Sequence, residues 1–120
     1  MRRLARLAAL LGSMIGVAAC AAPATGDEHP LAWLEQADAQ RDARAALERR
    51  DFRLLALPRR STVIPGVDPQ LAPQYELKCG IRLIEGAGDT VRDRRQLELL
   101  KKAAEYAAAY NAVIKTRCQP

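Results

Sequence analysis

The chain is poor in the side chains that carry most enzyme chemistry. Its 120 residues include one histidine, His29, and three cysteines. Beyond Cys20 the single serine is Ser61. A nucleophilic triad needs an activated Ser, Cys or Thr with a base beside it, and these residues offer none. No C-x-x-C pair occurs and His29 stands far from Cys79 and Cys118, so no metal site and no cofactor are expected. Aromatics are scarce: one Trp, three Tyr and one Phe. None interleaves with basic residues as in single-strand nucleic-acid binders, so no nucleic-acid partner is expected. A spanning helix is the weaker reading of the N-terminal apolar run. The apolar run from Leu7 to Ala19 would cover roughly 20 Å as a helix, short of the ~30 Å hydrocarbon core.

What is present starts at the N-terminus. Arg2, Arg3 and Arg6 form a basic region without an acid, followed by that uncharged apolar run. This is the pattern of a secretory signal. The run closes on Val17-Ala18-Ala19-Cys20, then Ala21, Ala22 and Pro23. An aliphatic residue, two small residues and a cysteine resemble the lipobox of bacterial lipoproteins. The resemblance covers the first twenty residues. It implies a diacylglyceryl group in thioether linkage on Cys20, palmitate incorporation, and cleavage before Cys20, with Ala18 and Ala19 giving a peptidase room at the backbone. The covalent lipid would be the only non-protein group. The alternative is an ordinary signal cut after Ala22, with Cys20 discarded. Each buried methylene contributes about 0.8 kcal/mol, and one chain alone anchors marginally. The two or three chains of the lipoprotein family would hold the protein firmly. Ala21, in place of Asp, implies delivery to the outer membrane, facing the periplasm, if the host is Gram-negative.

Residues 1–19 are therefore expected to be a signal peptide, 20–29 a lipid-attached tether and 30–120 one small periplasmic domain. A domain of this size buries a modest core and often needs a covalent staple. In an oxidising compartment Cys79 and Cys118 are expected to pair, closing a loop of about 40 residues that contributes roughly 3–4 kcal/mol in the chain-entropy model. The alternative is two free buried thiols. The formal charge of +5 falls to +2 once Arg2, Arg3 and Arg6 are removed.

Along the mature chain, Pro30 suits a first helical turn with Asp27 and Glu28 at its positive end. Leu31, Leu34, Ala37, Ala45 and Leu47 predict a helix over 31–50, with Trp33 near its start as a packing residue or, alternatively, a ligand platform. The run from Phe52 to Leu57, stopped by Pro58, predicts a buried strand. Pro65-Gly66 fits a type II turn. Pro73 opens a short helix ending at Gly80 as a left-handed cap, and 81–86 is the second strand. Asp93 and Gln96 make a capping-box-like start to a helix over 94–116. Its main stripe holds Leu97, Leu100, Ala104, Ala107, Asn111 and Ile114, flanked by Leu99, Ala103, Tyr106, Tyr110 and Val113. The fold expected is α+β: a small single domain, two long helices packed on a short two-stranded parallel sheet, one disulfide. The stretch from "PGVDP" through "YELKCGIRLIEGAGD" to "YAAAYN" is similar to that of small uncharacterised bacterial envelope proteins, and this resemblance implies no reaction.

Three features invite chemistry. Glu76, Glu85 and Asp89 cluster in sequence, and paired acids at a set separation would suit glycoside hydrolysis; solvated acids are the plainer account. "GAGD" at 86–89 lacks the Lys-Ser/Thr of a P-loop and reads as a turn. Arg49, Arg50, Arg53, Arg59 and Arg60, with Arg92, Arg94 and Arg95, offer a cationic face to phosphate head groups, or are simply solvated. Asn111 is the local anomaly, a poor helix former on an apolar stripe. Either it pins the "GAGDT" or "IPGV" loop, or with Tyr106 and Tyr110 it lines a shallow binding groove. The function expected is a lipid-anchored periplasmic binding or structural module without catalysis, meeting the membrane through its lipid and an envelope protein or anionic head group through its surface. An inhibitor or immunity-type partner protein, or a small acid-residue envelope hydrolase, is the alternative.

Overall fold

Asp38 divides what periodicity reads as one helix. Its side chain accepts the Arg41 N–H at 3.0 Å, making it the N-cap of a new helix rather than the middle of an old one. The computed structural model describes residues 29–59, 61–88 and 90–120. The expected signal peptide and Cys20, with the rest of 1–28, lie outside the described residues, as do Arg60 and Asp89. In place of a helix over 31–50 there is a 3₁₀ turn, Ala32–Gln36, then α1, Ala39–Glu48. The apolar face of α1 also shifts: Ala43 and Ala46 are fully buried, whereas Ala45 and Leu47 are only partly so.

The remaining elements are β1, Leu54–Ala56; α2, Ala72–Cys79; β2, Ile81–Leu83; and α3, Arg94–Ile114. Among the described residues, three helices and a two-stranded parallel sheet thus make one small domain, and only α3, at 21 residues, is long. Leu54 faces Ile81 and Ala56 faces Leu83 across the ladder. Gly80 has the positive φ expected of a cap, 79°, but its ψ of 166° is extended. The chain therefore leaves α2 straight into β2, with no left-handed helical residue between.

Pro65-Gly66 turns as expected. Gly66 has φ 83° and the Val67 N–H bonds the Ile64 carbonyl. A β-carbon at Gly66 would also press on the Ala108 backbone of α3. Asp93 caps α3 by accepting the Gln96 N–H at 2.8 Å, and Gln96 accepts the Arg92 N–H in return. The buried face of α3 is Leu99, Leu100, Ala103, Ala107, Tyr110, Asn111 and Ile114. It runs between the two expected stripes, so Leu97 is 41% exposed rather than core. Small Ala43 and Ala46 on α1 and Ala103 and Ala107 on α3, all fully buried, let these two helices approach closely. Leu31, Leu54, Leu55, Leu57 and Ile114 fill the space against β1.

Cys79, the last residue of α2, and Cys118, beyond α3, form the expected disulfide. It matters locally because α2 buries no residue of its own and Leu77 on it is 89% exposed. Tyr75 and Ala72 pack only partly on the core. The bond holds α2 and the start of β2 to the body where apolar burial is only partial.

Candidate functional site

The two readings of Asn111 separate once its partners are named. It is fully buried. Its Oδ1 accepts the Leu55 N–H at 2.7 Å, and its Nδ2 donates to the Leu55 and Pro65 carbonyls, both at 2.9 Å. In the parallel ladder the N–H of Leu54 and the carbonyl of Ala56 point at β2. The N–H and carbonyl of Leu55 must then point the other way. Asn111 supplies to β1 what a third strand would, and it also ties down the "IPGV" loop through Pro65. Lys115, one turn on, donates to the Gly66 carbonyl at 2.6 Å. Both amide hydrogens of Asn111 are engaged in holding the fold.

Tyr106 and Tyr110 do line a groove, and Asn111 is not among its lining residues. The groove is open to solvent, about 590 Å³, and lies between the 3₁₀ turn, α1, the chain through β2 and α3. Its aromatic wall is Trp33 set edge-on against Tyr106, centroids 5.1 Å apart, with Tyr110 a further 6.1 Å along. Trp33 is 47% exposed, so the residue expected to pack is half free, and the turn that carries it is separated from α1 by the Asp38 cap. Leu55 and Ile84 add apolar surface.

Charges of both signs border these rings. The Tyr106 hydroxyl donates to Asp42 Oδ2 at 2.6 Å. Burial first, then this carboxylate, pushes the phenol well above its ordinary range, so Tyr106 stays a neutral donor. Asp42 also has the Arg41 guanidinium 3.5 Å away. Arg82 lies 6.0 Å from the Tyr110 ring centroid, within cation–π reach. Arg49, Arg82 and Glu85, all lining the groove, form no ion pair among the described residues. The Tyr110 hydroxyl likewise has no hydrogen-bond partner among them, although the residue is 2% exposed. The arrangement suits recognition of an elongated group with flat apolar and charged parts.

The other sequence candidates disperse. Glu85 lines this groove, whereas Glu76 lines a different recess beside Pro69 and Pro73. Gly86 and Gly88 sit in a turn, and a β-carbon at Gly88 would collide with the Pro58 carbonyl, so the second glycine serves a close backbone approach. Of the basic residues, Arg53 is spent on Asp51 and Arg95 lies near Glu35 at 3.8 Å. Among the described residues no group of His, Cys, Asp and Glu could hold a metal ion, and no helix is long and apolar enough to cross a membrane. Among the groove residues, Asp42 and Arg82 are charged side chains that the sequence does not single out for binding, and Trp33 is one it offers more readily as a packing residue. Arg82 carried a signal: a charge in the middle of the apolar triplet "IRL" marks a strand with one wet side. Comparison with family models, with curated proteins and with solved structures finds no match.

Proposed function

We propose that this protein is a non-catalytic binding module of the bacterial envelope, held by a lipid on Cys20 at the outer membrane and facing the periplasm, with the Trp33–Tyr106–Tyr110 groove as its binding surface. The observation that carries the reading is the half-exposed Trp33 braced on Tyr106 beside the Arg49 and Arg82 guanidinium groups, which form no ion pair among the described residues. Trp, Tyr and Arg are the side chains that dominate the binding energy of recognition surfaces. A lipid-attached tether through residues 20–29 would keep such a groove within about ten residues of the membrane anchor.

Two measurements test the two halves. Palmitate labelling of the full chain and of Cys20→Ser should show labelling lost in the variant; equal labelling overturns the anchor. A photo-crosslinking residue placed at Trp33 in intact cells should give one major adduct, identified by mass spectrometry. The same residue at Leu77, outside the groove, should not give that adduct. Identical products from both positions, or none from Trp33, overturn the groove.

A further inference from the structure

The two edges of the small sheet are treated differently. On the outer edge of β1, Leu55 has both backbone groups bonded by Asn111. Leu57 exchanges bonds with Val63 through an isolated antiparallel bridge. On β2 the ladder uses the Gly80 carbonyl, Arg82 and the Ile84 N–H. The N–H and carbonyl groups of Ile81 and Leu83 therefore face outward. These four groups have no hydrogen-bond partner among the described residues. Among the described elements β2 packs substantially on β1 alone, and Leu83 is 47% exposed. An unpaired edge of this kind is a template for another strand. It borders the groove, since Arg82, Leu83, Ile84 and Glu85 form one side of it.

We propose that β2 receives an extended peptide segment of another envelope protein as a third strand, antiparallel to β2, with an acidic side chain facing Arg82 and an apolar one lying in the groove against Trp33 and Tyr106. This rests on the groove reading above. Main-chain bonds to Ile81 and Leu83 supply pairing, and alternate side chains supply selectivity. Arg82 sits between the two bonding positions and shares a face of the sheet with Leu55, the face on which Tyr110 lies. Opposite-charge pairs across strands are favourable and like charges are not. The same rule argues against a second copy as the occupant. Antiparallel pairing of two β2 strands satisfies all four groups only when centred on Arg82, which sets Arg82 against its own counterpart.

The test uses the full lipidated chain in detergent micelles and a capped octapeptide that alternates threonine with glutamate and phenylalanine. The expected result is that binding slows hydrogen exchange at the Ile81 and Leu83 amides by at least about tenfold. N-methylation of the peptide at the amides that would face β2 should abolish binding without touching its side chains. Arg82→Glu should weaken the peptide by about tenfold, and lysine in place of its glutamate should restore affinity to that variant. Leu83→Pro removes one outward donor and no bond to β1, so it should lose the peptide while melting near wild type; if it fails to fold, the N-methylated peptide on the wild-type chain still decides. Binding with unprotected Ile81 and Leu83 amides, or unchanged by N-methylation, overturns strand addition but leaves the groove reading standing. No binding at about 1 mM peptide also overturns it, whereas the groove reading falls only with the Trp33 crosslink.

Discussion

β1 and β2 are both three residues long and pair with each other, yet they live in opposite surroundings. All three residues of β1 are buried, whereas in β2 Ile81 is half-buried and Arg82 and Leu83 are exposed. β1 has α3 against it and a buried amide bonding its free edge. β2 follows α2, which is only partly packed on the core, and is secured next door by a disulfide. Two strands alone make a marginal sheet. This fold stabilises one of them non-covalently from all sides and holds the other by its partner strand and a covalent staple. A small core cannot serve both strands equally, and the side left open is the one beside the groove.

The sharpest way to break the contrast is at Asn111. Asn111→Leu should cost about 3–5 kcal/mol, because it leaves the Leu55 N–H and carbonyl buried without partners and frees Pro65. Hydrogen exchange should then speed up at Leu55 before it changes at Arg82. Chemical melts with residue-resolved exchange check both. A loss under about 1 kcal/mol would mean that β1 does not depend on its surrogate third strand.

The staple tests the other strand. Cys118→Ala should cost roughly 3–4 kcal/mol for a sequence separation of 39. The first exchange to rise should be in α2 and β2, while Leu55 keeps its protection. Intact mass after alkylation without reductant should show no free thiol in the wild-type Cys79–Cys118 pair. Uniform loss of protection across both strands would mean that the disulfide supports β1 and β2 alike.

How much of this was legible follows the range of each interaction. The long helix and its Asp93 cap, the Pro65-Gly66 turn, the order of strands and the cysteine pair are local or compositional signals, and they appear in the structure. The break at Asp38 is hidden in the sequence because helical spacing continues across it, while an Asp side chain offers the backbone an alternative bond only once the chain has turned. Asn111 stood out as an anomaly, and Pro65 lies in one of the loops expected to receive it. Its principal partner, Leu55, is 56 positions away, and nothing in the spacing of either segment points to the other. The groove was seen from one side. Tyr106 and Tyr110 share a helix face, but Trp33, Arg49 and Arg82 reach them only through tertiary packing.

A smaller effect lies in the turn that delivers the chain to β1. Arg50 is the one non-glycine residue with positive φ among the described residues, 60°. The Asp51 N–H bonds the Ala46 carbonyl and the Arg50 N–H bonds the Leu47 carbonyl, which is the Schellman ending of α1 with arginine where glycine is favoured. Arg50→Gly should therefore stabilise the protein by about 1 kcal/mol, as the left-handed conformation costs an L-residue roughly that much. A rise in melting temperature with unchanged protection at β2 would place the gain on the β1 side. A fall would mean that the arginine side chain makes a compensating contact.

The smallest effect is electrostatic and sits one residue further on. Asp51 receives the Arg53 backbone N–H at 3.2 Å and two guanidinium N–H groups at 2.9 and 3.0 Å. The guanidinium hydrogen bonds, more than partial burial opposes them, bring the Asp51 carboxyl down from its ordinary 3.8 to about 2. A carboxyl held lower in the folded state than in the unfolded chain adds stability above the unfolded value and loses it as pH falls through the folded one. The contribution should thus be intact above about pH 4, decline between about pH 4 and pH 2, and be absent below. With the Arg53 side chain 51% exposed, water and salt screen the pair, so the gain should stay below that of Arg50→Gly and shrink further in high salt. Asp51→Asn should flatten this acid limb without changing exchange at Ile81 or Leu83. If the variant instead loosens β2, then Arg82, whose charge also favours the ionised Asp51, couples the two strands and the contrast between them is weaker than their burial implies.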